Sequence, residues 1–172
     1  LNGLVFTPCT SGSSFDTQGN DARFTLLVRA RDTAGNVDPT PAAYSWRKDK
    51  IPPDTRVPDT MGNLTNASRV GFDFESPDTD VVGFQCVLTS PATTPMPGET
   101  SSEWVDCAAS YMTPELTHGN TYRLWARAVD AAGNVDPTPD SHWWRVDLTS
   151  PNTEFTGTLP ASVNNLDSVT FT

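Results

Sequence analysis

Residues 34–41 read AGNVDPTP, and residues 132–139 read the same eight letters. The two segments lie 132 − 34 = 98 residues apart, and further matches flank them at the same offset. These matches pair Leu26 with Leu124, Arg29 with Arg127, Trp46 with Trp144 and Asp49 with Asp147. Identity at a fixed offset indicates an internal repeat, and this period is far longer than the roughly 20 to 50 residues of solenoid repeats. The repeating unit is therefore a whole domain.

The period divides the chain into one complete unit and two partial ones. Residues 51–148 form the complete unit, residues 1–50 correspond to the second half of a preceding unit, and residues 149–172 correspond to the opening strands of a following unit. The correspondence reaches back to Phe6, which matches Trp104, and to Cys9, which matches Cys107. We therefore expect the chain to be part of a longer tandem array.

The units are predicted to be all-β. Fifteen prolines and 11 glycines leave no uninterrupted window of helix length. Apolar residues alternate in several short segments, which is typical of strands with one buried face in a two-sheet sandwich of about 100 residues. The predicted inward-facing positions are Val70, Phe72 and Phe74; Phe84, Cys86 and Leu88; Tyr122, Leu124, Ala126 and Ala128; and His142, Trp144 and Val146. In the first unit, Phe24, Leu26, Val28 and Ala30 match the third set.

Charge and hydrophobicity exclude two classes of partner. The chain has 11 Lys and Arg against 21 Asp and Glu, and its net charge of −10 opposes binding to nucleic acid phosphates and anionic membrane surfaces. Only 36% of the residues are apolar, and no stretch approaches the ~20 apolar residues of a membrane-spanning helix. We expect neither nucleic acid binding nor a membrane-spanning segment.

The repeat explains why the chain has an odd number of cysteines, three. Cys86 and Cys107 lie in the complete unit with 20 residues between them, and a disulfide closing such a loop would add about 3 kcal/mol of stability. Cys9 is the counterpart of Cys107, so its expected partner lies upstream of residue 1. This predicts a Cys86–Cys107 disulfide in an extracellular protein, because disulfides persist mainly outside the cytosol. The alternatives are three free thiols in a reducing compartment or, less in keeping with the repeat, a reactive thiol nucleophile.

The chain resembles a known group of repeats through residues 121–151, TYRLWARAVDAAGNVDPTPDSHWWRVDLTSP, together with FQCVL at 84–88 and WVDC at 104–107. These segments are similar to tandem Ig-like or fibronectin-III-like repeats of very large microbial surface proteins, which occur in adhesin stalks and in surface glycoproteins of unicellular eukaryotes. The resemblance implies seven-strand β-sandwiches joined end to end as spacers, stalks or fibres. Residues 89–103, rich in Ser, Thr and Pro, depart from the compact pattern, and a special contact could lie there.

One group of acidic residues is a candidate calcium-binding site. Asp73, Glu75, Asp78 and Asp80 crowd one predicted loop, and carboxylates are hard ligands suited to Ca²⁺. They lack the fixed spacing of an EF-hand, and Asp residues in turns commonly accept hydrogen bonds from their own backbone. We therefore expect no metal and no cofactor, and keep these four as weak calcium candidates.

The sequence contains no recognisable catalytic motif. The two histidines, His118 and His142, share no local motif with a Ser or Cys nucleophile, and there is no phosphate loop, HExxH motif or zinc-ligand cluster. Composition does not exclude a pair of catalytic carboxylates. Because the same residues recur in successive units, we expect a non-catalytic protein.

Two sites could carry covalent glycans. Asn63 and Asn66 open the acceptor triplets Asn-Leu-Thr and Asn-Ala-Ser, in a predicted turn before a strand. In a secreted eukaryotic protein these are candidate N-glycosylation sites, whereas the alternative is ordinary turn chemistry.

The aromatic residues differ between the units. Trp125 and Trp143 are predicted to point outward, where the first unit has Leu27 and Ser45, and Arg127 is predicted to share their face. One interpretation is cation–π stacking between these residues and neighbouring arginines. The other is a contact patch for a second protomer, a neighbouring repeat or a sugar ring.

These observations give one expected function and two rivals. The joints between units, at residues 49–54 and 147–152, are short and contain proline, and such linkers are stiff. We expect an extracellular or cell-surface structural repeat that contacts its neighbouring repeats and self-associates into a stalk, fibre or filament. The rivals are an adhesin or carbohydrate-binding module, and the spacer of a secreted glycan-degrading enzyme.

Overall fold

The computed structural model describes residues 5–58 and 61–155, and its regular structure there is entirely β. These described residues contain nine strands: β1 Asp21–Val28, β2 Ala42–Asp49, β3 Leu64–Thr65, β4 Gly71–Asp73, β5 Val81–Thr89, β6 Val105–Cys107, β7 Ser110–Met112, β8 Thr121–Asp130 and β9 Asp140–Val146. The predicted all-β class is confirmed. In these two ranges no helix is long and apolar enough to cross a membrane.

The strands are arranged in three sheets. Five strands form the largest sheet in the order β3-β9-β8-β5-β6, and β4 pairs with β7 in a second, two-stranded sheet. The pairs β5–β8, β8–β9 and β5–β6 are antiparallel, whereas β3 runs parallel to β9. The hairpin of β1 and β2 is a separate antiparallel sheet.

The main core lies between the five-stranded sheet and the β4–β7 sheet. Phe72 on β4 is 3% exposed, and its ring centroid lies 5.1 Å from that of Trp144 on β9. Beside them, Phe74 packs on Phe84 of β5 at 5.6 Å. The inward-facing positions predicted from alternation are buried here, except for Leu88, which is partly buried against the same cluster. Alternation therefore identified the core faces of β4, β5, β8 and β9, as the period-2 geometry of a strand requires.

The hairpin of β1 and β2 repeats the pairing of β8 and β9. Phe24 lies opposite Trp46 in the hairpin, as Tyr122 lies opposite Trp144 in the complete unit. The rings of each pair are stacked, with centroids 5.6 Å and 6.0 Å apart respectively. Thus residues 98 positions apart in the sequence adopt the same register and the same ring contact.

The octapeptide turn is also built twice in the same way. Asp32 accepts hydrogen bonds from the backbone and the side-chain amide of Asn36, both at 2.8 Å. Asp130 accepts the same two bonds from Asn134 at 2.8 Å and 2.7 Å. The intervening glycine has a φ of 93° in the first turn and 87° in the second. Because L-residues with a side chain rarely adopt this left-handed backbone, glycine is required there.

The predicted core face of the hairpin is only partly covered, unlike that of the complete unit. Val28 is 45% exposed and Tyr44 is 68% exposed, whereas Ala126 and His142 at the matching positions are buried. In the complete unit, Phe72 covers this face by packing on both His142 and Trp144. Among the described residues, the hairpin belongs to no larger sheet. The described residues therefore leave the Val28 and Tyr44 side of the hairpin largely exposed.

Candidate functional site

The predicted contact patch consists of Trp125, Trp143 and Arg127, but Arg127 is buried and does not belong to an exposed surface. Its side chain is 6% exposed, and its Nε and Nη2 atoms donate to Oε1 of Gln85 at 3.0 Å and 2.7 Å. Its Nη1 atom donates to the main-chain oxygen of Glu99 at 2.8 Å, and the guanidinium lies 4.2 Å from the ring centroid of Trp104. The expectation that Arg127 belongs to an exposed patch was wrong. Its role is to anchor residues 89–103 on the sheet.

Residues 89–103 form a cap over the outer face of β5 and β8. The indole nitrogen of Trp104 donates to the carbonyl of Gly98 at 3.1 Å, and the backbone nitrogen of Ala92 donates to the hydroxyl of Thr121 at 3.2 Å. Ala92 and Trp104 are buried, as is Val87 on the strand beneath. These contacts of the segment are all made within the chain, and a special contact of residues 89–103 with another molecule stays a prediction.

Burial changes the electrostatics of the guanidinium under this cap. Desolvation lowers the pKa of Arg127, whereas the nearby carboxylates of Glu99 and Asp136 act in the opposite direction. Hydrogen bonds to a charged group contribute about 1.5 to 3 kcal/mol each. The Gln85 and Glu99 acceptors therefore compensate for removing this charge from water.

The two tryptophans of the predicted patch have different surroundings. Trp125 is only partly exposed, and the Arg123 guanidinium lies 5.0 Å from its ring centroid, which favours the cation–π interpretation. Trp143 is 42% exposed, and it lies opposite Arg123 in the β8–β9 ladder. Of the two rings, that of Trp143 is the more exposed.

Cys86 and Cys107 lie side by side on the core face of β5 and β6. Cys107 is opposite Phe84 and Cys86 is opposite Val105, so the two cysteines are diagonal neighbours. Both are thiols in the structure, as is the exposed Cys9. A hydrogen bond with Cys86, burial and the charge that a Cys86 thiolate would carry all raise the pKa of Cys107. Since the thiolate is the nucleophilic form, this disfavours a reactive Cys107; the disulfide stays a prediction.

The four weak calcium candidates are not brought together. Asp78 accepts a hydrogen bond from the backbone nitrogen of Asp54 at 2.8 Å, and Asp80 lies 3.4 Å from Arg47. The backbone of Glu75 pairs with that of Arg56, while Asp73 ends β4. Within 5–58 and 61–155, no group of three or more His, Cys, Asp or Glu side chains is arranged to hold a metal ion. Asp78 and Asp80 bind their neighbours instead.

The candidate glycan acceptors flank β3. Asn63 and Asn66 are both exposed, and the main-chain oxygen of Asn63 accepts a hydrogen bond from Arg145 at 2.9 Å. The hydroxyl of Thr65, in the first acceptor triplet, accepts a bond from the backbone of Ala67 at 3.1 Å. Both asparagine side chains are accessible from solvent, and their modification remains a prediction.

The structure also brings together three residues whose proximity the sequence did not suggest. His118 Nε2 lies 3.1 Å from the Thr149 hydroxyl, and His118 Nδ1 lies 3.5 Å from Asp147 Oδ1. This superficially resembles a nucleophile–histidine–carboxylate triad. However, Nδ1 accepts a hydrogen bond from the backbone nitrogen of Leu148 at 2.9 Å, so the neutral ring carries its proton on Nε2. A catalytic triad requires the opposite tautomer, and the cluster instead fastens the segment after β9 to the loop before β8.

A second group of contacts lies at the joint between the hairpin and the complete unit. Arg47 on β2 contacts Asp21 at 2.8 Å, Asp49 at 3.0 Å and Asp80 at 3.4 Å. The side-chain amide of Asn134 donates to the main-chain oxygen of Asp49 at 3.3 Å. The hydrogen bond with Asp21 and the charges of Asp21, Asp49 and Asp80 raise the pKa of Arg47. The joint is thus held by side chains from both units, in addition to the linking chain.

Comparison with known proteins does not assign the chain to a family. No known protein family matches it, and no curated protein matches it either.

Proposed function

We propose that the chain is a non-catalytic structural segment of an extracellular tandem array, in which Ig-like or fibronectin-III-like units form a stiff stalk, fibre or filament. The observation that carries this proposal is the repetition of one hairpin, with one register, at an offset of 98 residues. Seven strands in residues 51–148, divided between two facing sheets, support a sandwich as the unit.

The joint supports a mechanical role. Only six residues, 50–55, separate the end of β2 from the Arg56–Glu75 bridge of the next unit, and Pro52 and Pro53 lie among them. Arg47 and Asn134 add an ion pair and a hydrogen bond across this joint. A short proline-containing linker with contacts on both sides restricts bending, which is what a spacer or filament needs.

The surroundings of the reactive side chains support a non-catalytic role. His118 has its proton on the wrong nitrogen for general-base action on Thr149, because Nδ1 accepts from Leu148. The raised pKa of Cys107 disfavours its thiolate. The exposed Asn63 and Asn66 suit a glycosylated surface protein.

Electron microscopy of the native material tests this proposal. We expect a rod whose repeat is roughly 30 to 40 Å, because each unit contributes strands of about 8 to 10 residues that rise about 3.3 Å per residue, plus a short joint. Isolated globular particles under conditions that preserve native assemblies would contradict a stalk or filament.

The exposed ring of Trp143 favours a second candidate, carbohydrate binding on the outer face. This role would require saturable glycan binding that is lost in Trp143→Ala and retained in Trp46→Ala, which alters a tryptophan on the separate hairpin. Glycan binding by wild type with the same affinity in Trp143→Ala would exclude this face as the binding site.

A further inference from the structure

The outer surface of β8 and β9 carries two arginines around an exposed tryptophan. We call this cluster of Trp143, Arg123 and Arg145 the Arg–Trp face. Arg123 lies directly opposite Trp143 in the β8–β9 ladder, and Arg145 follows Trp143 two residues later on the same side of β9. The two arginines are diagonal neighbours, about 7 to 8 Å apart, which long side chains can span. Both guanidinium groups can therefore reach the space above the Trp143 ring.

The two guanidinium groups are not neutralised within the described chain. In residues 5–58 and 61–155, no carboxylate forms an ion pair with Arg123 or Arg145. The Nε atom of Arg123 is buried without a hydrogen-bond partner, and its guanidinium lies 5.0 Å from the ring centroid of Trp125. Asp147, the next residue on this side of β9, instead accepts a hydrogen bond from the backbone nitrogen of Thr149 at 3.0 Å. The face thus presents two unpaired positive charges.

The hairpin of β1 and β2 lacks this arrangement at the matching positions. There, the cross-strand pair is Thr25 and Ser45, whose hydroxyls hydrogen-bond to each other at 2.8 Å. The residue that matches Arg145 is Arg47, and it contacts three carboxylates. Because the strand pairing is the same in both places, this hairpin requires neither an exposed tryptophan nor an unpaired arginine. The Arg–Trp face is therefore an addition to the fold.

The chemistry of the face specifies a class of ligand. The Trp143 ring is 42% exposed and offers a flat apolar surface, on which the C–H face of a pyranose ring can pack. A guanidinium binds a planar carboxylate through two parallel N–H donors. Small-molecule sites generally combine an apolar surface with a few polar groups that fix the orientation of the ligand. A sugar with a carboxylate on its ring satisfies both parts of this face.

We propose that the Arg–Trp face binds an acidic sugar, with its pyranose ring stacked on Trp143 and its carboxylate held by Arg123 and Arg145. The inference rests on the second candidate function, carbohydrate binding on the outer face, and names its ligand. The charge complementarity is local, because the whole chain has a net charge of −10 and repels long polyanions. The ligand is therefore a short or terminal acidic sugar.

The first experiment compares two sugars that differ in one group. Methyl β-glucuronide carries a ring carboxylate where methyl β-glucoside carries a hydroxymethyl group. The full chain is titrated with each sugar, and binding is followed by the chemical shifts of the tryptophan indole and arginine Nε groups. We expect saturable shifts at Trp143, Arg123 and Arg145, and a Kd at least about tenfold lower for the glucuronide, which corresponds to about 1.4 kcal/mol. Equal affinities for the two sugars would overturn the proposal.

Three variants assign the contacts. Arg145→Met should weaken glucuronide binding at least about fivefold and leave glucoside binding unchanged, because only the carboxylate needs the guanidinium. Arg47→Met is the matched control on the hairpin and should bind both sugars like wild type; both arginines are exposed, so neither substitution disturbs the core. Trp143→Ser places the hairpin residue at this position and should abolish saturable binding of both sugars. Equal glucuronide affinity in Arg145→Met and Arg47→Met would overturn the assignment of the carboxylate.

The remaining outcomes separate this inference from the proposals on which it builds. If acetyl-aspartate amide binds as tightly as the glucuronide, the face recognises a carboxylate without the sugar ring, and the inference fails. If both sugars bind equally and binding is lost in Trp143→Ser, carbohydrate binding stands and only the acidic ligand is refuted. If neither sugar binds saturably, this inference and the carbohydrate-binding candidate both fail, whereas rods seen by electron microscopy would still support the structural array.

Discussion

The side-chain amide of Asn134 donates a hydrogen bond of 3.3 Å to the main-chain oxygen of Asp49. The same amide also donates to Asp130 at 2.7 Å, within its own turn. Asn134 belongs to the repeated octapeptide, and Asp49 is the last residue of β2 in the preceding unit. One side chain therefore both closes the octapeptide turn and contacts the last residue of β2.

Arg47→Met should loosen the joint with little effect on the stability of the complete unit. Its three carboxylate partners include side chains that are 41% and 36% exposed, and exposed ion pairs contribute about 0 to 1 kcal/mol each. We expect independent motion of the hairpin, measured by ¹⁵N relaxation of β1 and β2 relative to β8 and β9.

Arg145→Met is the control for this prediction, because Arg145 is the residue 98 positions after Arg47 and has no ion-pair partner among the described residues. It should leave the relaxation rates unchanged. Raising the salt concentration to about 1 M should move wild type toward Arg47→Met, since the Debye length falls to about 3 Å. Identical relaxation of all three proteins would mean that the ion pairs do not hold the joint.

Trp144→Ala should destabilise the complete unit by about 3 to 5 kcal/mol, because it removes a large aromatic side chain from a close-packed core. Trp144 is 0% exposed, and its ring packs against Phe72 and Tyr122. Urea unfolding followed by circular dichroism measures the change.

Trp46→Ala is the matched variant on the hairpin, where the described structure places no second sheet over the ring. We expect a smaller loss, under about 2 kcal/mol, since less apolar surface returns to water. An equal loss at the two positions would indicate that the hairpin face is covered in solution.

Arg127→Met should release the cap of residues 89–103. The variant loses the hydrogen bonds to Gln85 and Glu99, at a cost of about 1 to 3 kcal/mol. Limited proteolysis should cut residues 89–103 faster in the variant than in wild type. Arg29→Met, which removes the corresponding but more exposed guanidinium, should leave that cleavage rate unchanged; protection of the cap in Arg127→Met would show that other contacts hold it.

Acid should destabilise the octapeptide turn through Asp130. Burial alone would raise its pKa, but the hydrogen bonds from Asn134, Ala132 and Gly133 outweigh burial and lower it. A carboxylate with a depressed folded-state pKa stabilises the fold above its unfolded pKa, near 3.9, and this stabilisation is lost as the pH falls through the folded pKa. We therefore expect stability to fall below about pH 4.

Asp130→Asn isolates this effect. The variant should be less stable at pH 7 by about 1 to 3 kcal/mol, because a charged acceptor of several hydrogen bonds is replaced. Its stability should also depend less steeply on pH between about 2 and 4. Urea midpoints at pH 7, 4 and 3 measure both changes, and parallel pH profiles for the two proteins would refute the assignment to Asp130.

The three thiols should differ in reactivity when the chain is reduced. Cys9 is exposed, whereas Cys86 is buried and the pKa of Cys107 is raised by its contact with Cys86 and by burial. Iodoacetamide at about pH 8 should therefore modify Cys9 first, as read by peptide mass spectrometry. In the native protein isolated without reductant, we expect a Cys86–Cys107 disulfide, and two unbridged thiols would contradict the extracellular assignment.

Periodicity in the sequence predicted much of the fold. The repeated octapeptide predicted that two distant hairpins correspond, and the alternation around Phe72, Leu124 and Trp144 predicted which side chains are buried. These predictions succeed because turn chemistry and strand alternation are local properties. Turn geometry and strand alternation are set by residues that are close in the sequence, so they do not depend on which distant segments pack together.

The position of Arg127 could not be predicted in the same way. Alternation places it on the outer face of β8, which is correct, but residues 89–103 have no periodicity that reveals where they fold. Their contact with Arg127 joins residues 28 positions apart. One signal was usable: Phe6 matches Trp104 and Arg29 matches Arg127 at the same offset. The arginine and the aromatic ring form a cation–π contact at both places, Arg29 with Phe6 and Arg127 with Trp104.

The sequence alone determined the 98-residue offset, the turn that recurs at that offset and the inward face of the main strands, because these depend on spacing and local backbone preference. Only the tertiary structure decided that Arg127 lies beneath a cap, and that Arg47 and Asn134 form contacts between the hairpin and residues 51–148. These features depend on contacts between segments that are distant in the sequence, and such contacts produce no periodic pattern in the sequence.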